Sequence, residues 1–245
     1  MYKKEYMEKG NMPLYLYGYG SYGMTINTLF SYRNISYLDR GLCFAIAHVR
    51  GGGFLGRTWY ENGRLEHKMN TFTDFNACAI YMKSLNYIDS TNVICEGRSA
   101  GGLLAGAMVS LYPETFTTVI MGVPFTDVLN TMSDSTIPLT IEEWTQWGNP
   151  NILTDFNRMK EYCPYTNLQS NNFPNVYITT GYHDPRVQYW EGLKFIAKLR
   201  EFDKGNKKHI IEIQMGQGHF GNAGRYKSII EKSKAIAFII ANLYK

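Results

Sequence analysis

Short apolar runs alternate along the chain with longer stretches in which apolar residues recur every three or four positions. Within the short runs, apolar residues stand at consecutive rather than alternating positions, which is typical of strands buried on both faces of a parallel sheet. We predict strands at residues 14–17, 43–49, 92–95, 118–121, 176–180 and 209–214. We predict helices at residues 71–85, 103–111, 189–202 and 223–243. This alternation indicates an α/β fold, a mostly parallel central sheet with helices on both faces.

Composition narrows the class of protein. The 245 residues are 44% hydrophobic and 19% charged, which suits a folded chain with a sizeable core. The net charge is +4, without a run of like charges that would attract nucleic acid. No segment approaches the roughly 18 apolar residues of a membrane span, and none has the form of a signal peptide. We therefore expect neither nucleic acid nor a membrane as partner, and a cytoplasmic location.

Cysteine spacing bears on metals and on the redox environment. The four cysteines form neither a C-x-x-C motif nor a zinc-ligand spacing with histidine: Cys43, Cys78, Cys95 and Cys163. The first three lie in apolar runs, where buried free thiols are common. The sequence therefore predicts no metal site and no cofactor, in a reducing compartment.

The stretch NVICEGRSAGGLLAG runs from a β-branched strand through a turn into a helical pattern. Residues 97–101 have the motif G-x-S-x-G in the strand–turn–helix setting of a nucleophile elbow. Such a turn raises the Ser99 hydroxyl above the sheet, and its glycines avoid clashes with the adjacent strand and helix. The backbone N–H of Ala100 is a candidate donor to an oxyanion. The alternative is an ordinary serine at a tight turn.

A nucleophilic serine needs a base, and this kind of fold has the chain order serine, acid, histidine. Asp184 follows a predicted strand, and His219 lies in a glycine-bracketed loop after the next strand. We predict that His219 accepts the Ser99 proton and that Asp184 orients the imidazole. Asp127 is a rival acid, whereas His183 precedes the last strand and is poorly placed as the base.

Three glycines after the first predicted strand, Gly18, Gly20 and Gly23, have the G-x-G-x-x-G spacing of a dinucleotide-binding turn. That fold also needs an acidic residue at the end of its second strand. Asp39 has a suitable spacing but precedes the second predicted strand, and residues 24–38 make a poor first helix. We therefore favour a loop that serves other chemistry.

Seven segments, in order along nearly the whole chain from about Tyr2, resemble the prolyl oligopeptidase family of serine peptidases. They are YLYGYGSYG, AHVRGGGFLGRTWYENGR, NTFTDF, EGRSAGGLLAG, EWTQWGNP, GYHDPRVQYWE and GQGHFGNAGRY. They look most like the oligopeptidase B branch, which cleaves short peptides after Arg or Lys. The resemblance implies an α/β-hydrolase fold and agrees with Ser99, Asp184 and His219 as the triad.

The resemblance implies two further roles near the reacting atoms. In the family, the tyrosine that matches Tyr19 completes the oxyanion hole beside the N–H that matches Ala100. The arginine that matches Arg186 binds a carbonyl of the substrate backbone. The alternative for Arg186 is a solvated surface cation beside the acid.

In the oligopeptidase B branch, the specificity for basic residues goes with a pair of glutamates in an E-x-E arrangement before WGNP. Here Glu143 is the first acid, and the second position is Thr145. With a single carboxylate we expect a weaker preference for Arg or Lys. Glu142 is a poor substitute, because on an extended segment it faces away from Glu143. The alternative for both glutamates is a solvated acidic helix start.

Family members also carry an N-terminal β-propeller that covers the active site, and 245 residues leave no room for one. We expect residues 1–245 to form a single α/β-hydrolase catalytic domain. We also expect it to lack the propeller and the first strand or hairpin of the family domain. A separate propeller region or partner chain is therefore an expected partner.

These observations lead to one principal hypothesis and two alternatives. The principal hypothesis is a serine peptidase that cleaves short peptides after Arg or Lys through an acyl-enzyme. A broader esterase or acylaminoacyl peptidase is the first alternative, motivated by Thr145. The second is an inactive or partner-dependent catalytic-domain fragment.

Overall fold

The structure is a computed structural model and describes residues 1–221 and 226–243. Its strands are β1 (Met12–Gly18), β2 (Cys43–Ala47), β3 (Ile88–Arg98), β4 (Thr118–Gly122), β5 (Asn175–Gly181) and β6 (His209–Gln214). They form one six-stranded sheet in the order β2-β1-β3-β4-β5-β6. Every neighbouring pair is parallel. All the predicted strands are present, and β6 has the predicted bounds.

The helices alternate with these strands. They are α1 (Lys4–Lys9), α2 (Tyr32–Leu38), α3 (Arg57–Glu61), α4 (Met69–Lys83), α5 (Ala100–Leu111), α6 (Val128–Ser133), α7 (Thr140–Trp147), α8 (Leu153–Tyr162), α9 (Pro164–Asn167), α10 (Tyr189–Phe202) and α11 (Lys227–Leu243). The predicted helices correspond to α4, α5, α10 and α11. Of the predicted residues 223–243, the first three lie outside the described residues.

Both faces of the sheet are buried, as the continuous apolar runs predict. On one face, Leu16 and Val119 pack in a core that includes residues of α4, α5 and α10. On the other face, Tyr15 and Ile94 pack in a second core with residues of α2 and α11. The residues alternate between faces because successive strand side chains point in opposite directions. The α/β fold with a parallel sheet between helices is therefore confirmed.

Seven helices in the described residues have no counterpart among the predictions: α1, α2, α3 and α6 to α9. They are short, from four residues in α9 to ten in α8. A period of 3.6 residues is not resolved over such lengths, so the apolar pattern alone does not reveal them.

The glycine-rich stretch after β1 is not a dinucleotide-binding turn. No helix begins at Gly20 or Gly23, and the next one, α2, starts only at Tyr32. Asp39 lies before β2 and its carboxylate pairs with Lys3 at 2.6 Å. The loop packs tightly, since a Cβ on Gly20 would lie 2.4 Å from Thr71 Cγ2. It is thus a loop at the C-terminal edge of the sheet.

Two further expectations concern membrane spans and the organisation of the domain. Within the described residues, we find no helix that combines the length and apolar character of a membrane span. Strand β2 is an edge strand of the described sheet, and its Phe44 exchanges backbone hydrogen bonds with Met1. The expectations of a single domain and of a missing first strand or hairpin stay predictions.

Candidate active site

A cavity of about 700 Å³ lies where the strands end. Strands β1, β3, β5 and β6 each lead into a loop or turn at this edge, because the carboxyl ends of parallel strands share one side of a sheet. The cavity brings together six of the seven predicted site residues: Tyr19, Ser99, Ala100, Glu143, Arg186 and His219. The seventh, Asp184, lies behind His219, to which it is hydrogen-bonded.

The turn from β3 into α5 has the geometry of a nucleophile elbow. Ser99 has φ 57° and ψ −120°, a conformation that is rare for a residue with a side chain. A Cβ on Gly97 would lie 1.8 Å from the Gly101 carbonyl oxygen, and one on Gly102 would lie 2.5 Å from Pro124 Cα. Only glycine fits at these positions, so the turn presents a half-buried Ser99 to the cavity.

His219 and Asp184 form a hydrogen-bonded pair. His219 Nδ1 lies 2.7 Å from Asp184 Oδ2, and both side chains are buried. Burial acts to raise the pKa of Asp184, but hydrogen bonds from His219 and from the N–H groups of Val187 and Arg186 outweigh it, so the pKa is lowered. The carboxylate is therefore ionised at neutral pH and holds a proton on Nδ1, which leaves Nε2 as the basic nitrogen.

Neither of the rival residues joins this pair. Asp127 is buried, forms an ion pair with Lys194 and accepts hydrogen bonds from Asn130 at 2.8 and 3.0 Å. His183 is exposed, and its backbone N–H donates to the Gln217 carbonyl at 2.9 Å. His183 thus joins the loop of Asp184 to the loop of His219 through its backbone.

Arg98 has a position that the sequence did not predict. Its guanidinium donates to the backbone carbonyl of His219, so the residue before Ser99 also holds the loop of the histidine. Arg98 also lines the cavity. As the second residue of G-x-S-x-G it occupies the variable position, where the motif carries no signal for such a contact.

Tyr19 and Ala100 both line the cavity next to Ser99. A Cβ on Gly101 would lie 3.1 Å from Tyr19 Cδ2, which shows how closely the β1 loop approaches α5. Burial, helped by Tyr17 and Glu143, raises the pKa of Tyr19 to about 12. The hydroxyl therefore remains a hydrogen-bond donor at neutral pH. Ala100 is the first residue of α5, and its N–H is among those without an acceptor inside the helix.

Glu143 is an acid in a mainly aromatic and apolar part of the cavity. Its Oε2 accepts hydrogen bonds from Tyr22 Oη and Trp147 Nε1, both at 2.8 Å. Phe125 and Met132 line the same region. Burial, with the nearby Glu143 carboxylate, raises the pKa of Tyr22, so this phenol stays neutral. The pair of donors fixes the carboxylate and leaves it accessible from the cavity.

Residues 140–147 are helical, which corrects the interpretation of the acidic segment as extended. Thr145 is exposed and its hydroxyl donates to the Glu142 carbonyl at 2.8 Å. Residues two apart on a helix do not share a face, so position 145 points away from the Glu143 side. Glu142 is also exposed and does not line the cavity. The absence of an acid at Thr145 therefore removes no carboxylate from this pocket.

Arg186 lies at the rim of the cavity. Its side chain is exposed, and its guanidinium carbon lies 5.1 Å from the ring centre of Phe220, which is 81% exposed. Its backbone N–H donates to Asp184 Oδ1 at 2.8 Å. The residue is thus a cation next to the acid, at a place open to a bound ligand.

A buried carboxylate shapes one wall of the cavity. Glu191 accepts hydrogen bonds from the N–H groups of Thr126 and Asp127 and from the Thr131 hydroxyl, and Thr131 lines the cavity. Burial raises the pKa of Glu191 to about 7, despite these hydrogen bonds.

In the part of the chain that is described, no group of three acidic, histidine or cysteine side chains is arranged to hold a metal ion.

Comparisons with known proteins identify the family of the chain. A sequence profile of the prolyl oligopeptidase family matches residues 28–245. Protease 2 of Moraxella lacunata is 43% identical over 243 residues, covering 99% of this chain and 35% of the relative. Dipeptidyl aminopeptidase BI of Pseudoxanthomonas mexicana is 41% identical, with coverages of 99% and 34%.

Solved structures are equally similar. Oligopeptidase B from Leishmania major has a TM-score of 0.96 and 44% identity, covering 99% of this chain and 34% of that chain. Oligopeptidase B from Trypanosoma brucei with covalently bound antipain, in a closed form, has a TM-score of 0.96, 45% identity and the same coverages. The chain therefore spans about a third of the length of its relatives. The chain belongs to the prolyl oligopeptidase family, whose members are serine peptidases.

Proposed function

We propose that the site hydrolyses peptides through an acyl-enzyme. Ser99 Oγ attacks the scissile carbonyl carbon while His219 Nε2 takes the hydroxyl proton. The imidazolium is stabilised by Asp184 and then gives its proton to the leaving amine. A water, deprotonated by the same histidine, releases the acid product and restores Ser99. The His219–Asp184 hydrogen bond beside the strained serine turn is the observation that carries this proposal.

We propose two hydrogen-bond donors that stabilise the negative charge on the carbonyl oxygen. They are the phenol of Tyr19, which stays protonated at neutral pH, and the N–H of Ala100 at the positive end of α5. We further propose that Arg186 binds a backbone carbonyl of the substrate, because its guanidinium lies exposed at the rim.

We propose that the residue before the cleaved bond is Arg or Lys. Glu143 places one carboxylate among aromatic side chains, which suits the charged end and the apolar stem of a basic side chain. The position of Thr145 outside this pocket removes the reason to expect a weaker preference. It also removes the motive for the broader esterase or acylaminoacyl peptidase, so we do not propose that activity.

Two measurements on the 245-residue chain test this proposal. A fluorophosphonate probe should label the wild type at Ser99, identified by mass spectrometry, and should not label Ser99→Ala. A peptidyl-Arg amide should be hydrolysed with a higher kcat/KM than the matched citrulline amide, which has the same shape without the charge. Absence of labelling in folded wild type would refute the serine mechanism, and equal rates on the two amides would refute the basic preference.

The whole protein's organisation is also a proposal. We propose that residues 1–245 form one catalytic domain that acts on short peptides, with a propeller region or partner chain excluding larger substrates. The cytoplasmic location stays a prediction. Circular dichroism and size-exclusion chromatography on the isolated chain separate a folded monomer from an aggregated product that requires a partner.

A further inference from the structure

Lys68 is a buried lysine directly beneath the loop that carries Tyr19. The residue is only 2% exposed and immediately precedes α4. Its Nζ donates to the Gly20 carbonyl at 2.8 Å, and it lies 3.2 Å from both Ser21 Oγ and Thr71 Oγ1. A lysine is almost never fully buried unless it has a charged partner. The burial of Lys68 therefore needs an explanation beyond ordinary core packing.

No described carboxylate forms an ion pair with Lys68, and its polar contacts are all with neutral oxygens. The rings of Phe72 and Trp147 lie 5.5 and 5.2 Å from the ammonium nitrogen, which provides cation–π contacts. Burial lowers the pKa of Lys68 to about 7. The N-terminal end of α4 also disfavours a cation at this place. Burying a lysine without a carboxylate partner costs free energy of folding, which points to a role other than stability.

The partners of Lys68 belong to the loop at the reacting centre. Gly20 follows Tyr19 directly and has φ +70°, and its carbonyl faces the interior, where it accepts the hydrogen bond from Lys68. Ser21 is fully buried, and Tyr22 after it donates to Glu143. Tyr19 and Tyr22 thus flank the two residues that Lys68 contacts.

We propose that Lys68 is a positioning residue for Tyr19, fixing the Gly20–Ser21 backbone so that the phenol points at the oxyanion. This inference rests on the proposed serine peptidase function and assigns Lys68 no contact with substrate. The side chain is long enough to reach across to the loop, and in either protonation state it donates to the Gly20 carbonyl and shares hydrogen bonds with the two hydroxyls. A methionine has a similar length but no donor, so the loop would lose this tether while the volume stays nearly constant.

The experiment compares Lys68→Met with Lys83→Met on the 245-residue chain, with and without Tyr19→Phe. Lys83 is also on α4, and its Nζ lies 3.3 Å from the Thr115 carbonyl, remote from the cavity. Turnover of the peptidyl-Arg amide and the rate of Ser99 labelling are measured. Lys68→Met should lower kcat about tenfold or more with KM nearly unchanged, since an oxyanion contact acts in the transition state. Lys83→Met should leave both constants unchanged.

The double-mutant cycle separates positioning from general damage. In the Tyr19→Phe background, Lys68→Met should lower kcat by less than about twofold, because the hydroxyl that it positions is already gone. An equal fold-loss in both backgrounds, or an unchanged kcat in the single variant, would overturn the inference. If circular dichroism shows that Lys68→Met is unfolded, Ser21→Ala replaces it in the same cycle. We then expect a smaller loss of kcat, judged by the same comparison of the two backgrounds. A folded wild type that takes no label would instead refute the proposed function, and this inference with it.

Discussion

Replacing Lys68 by methionine should change how the free energy of unfolding depends on pH. The wild-type ammonium is buried against neutral groups, namely the Gly20 carbonyl, two hydroxyls and two aromatic rings. None of these groups titrates between pH 6 and 9. Any difference in pH dependence between wild type and Lys68→Met therefore reports the lysine itself.

The magnitude follows from the pKa of Lys68, which burial lowers from 10.5 to about 7. Between these two values the unfolded chain holds a proton that the folded chain has released, so the wild type becomes more stable as pH rises. Below about pH 7 both states hold the proton, and the contribution is constant. A full pH unit inside the window corresponds to about 1.4 kcal/mol. From pH 7 to pH 9, the wild type should gain roughly 2 kcal/mol relative to Lys68→Met.

Urea unfolding followed by tryptophan fluorescence, at fixed pH values from 6 to 9, measures this difference. The chain has four tryptophans, so a signal is available in each variant. Lys83→Met serves as the control and should follow the wild-type pH dependence. Parallel curves for wild type and Lys68→Met across this range would show that the buried amine keeps an ordinary pKa, and the reasoning would be wrong.

Three further substitutions probe the cavity. Glu143→Gln keeps the shape of the side chain but removes its charge, so the preference for the Arg amide over the citrulline amide should fall about tenfold or more in kcat/KM; an unchanged ratio would move basic recognition elsewhere. Asp184→Asn deprives the imidazole of its carboxylate, and kcat should fall by about 10⁴-fold near neutral pH, whereas a loss below tenfold would speak against Asp184 as the orienting acid. Arg98→Ala removes the donor to the His219 carbonyl, so Ser99 labelling should slow by about tenfold. Arg98→Lys should recover part of the rate. Equal labelling rates in wild type and Arg98→Ala would show that the contact has only a structural role.

The fold was predictable because its strands are buried on both faces. Continuous apolar runs such as residues 14–17 indicate a strand buried on both faces, and this can be seen without knowledge of the tertiary contacts. Ser99, Asp184 and His219 each follow a predicted strand, and this predicted that they meet, since parallel strands end at one edge of the sheet. The structure brings them to the same cavity or its immediate border.

The rest depended on contacts between residues far apart in the chain. Lys68 follows Glu66 and His67 in a polar stretch that is typical of a surface, and only the packing of Trp147 and the β1 loop over it makes it buried. The bond from Arg98 to the His219 carbonyl links positions 121 residues apart. The segment with Glu143 is a short helix, and eight residues are too few for a period to separate it from an extended strand.

Segments that follow five different strands build the cavity, and this has a consequence for folding. The pairing of β1 with β3 joins Tyr15 to Ile94, and the intervening chain must close before the contact forms. Non-local parallel pairing is slow, whereas helices such as α10 form from local contacts. During refolding, circular dichroism should therefore recover before Ser99 can be labelled. We expect nucleophilic reactivity to appear once β6, the last strand in the described residues, has brought the loop of His219 to the serine.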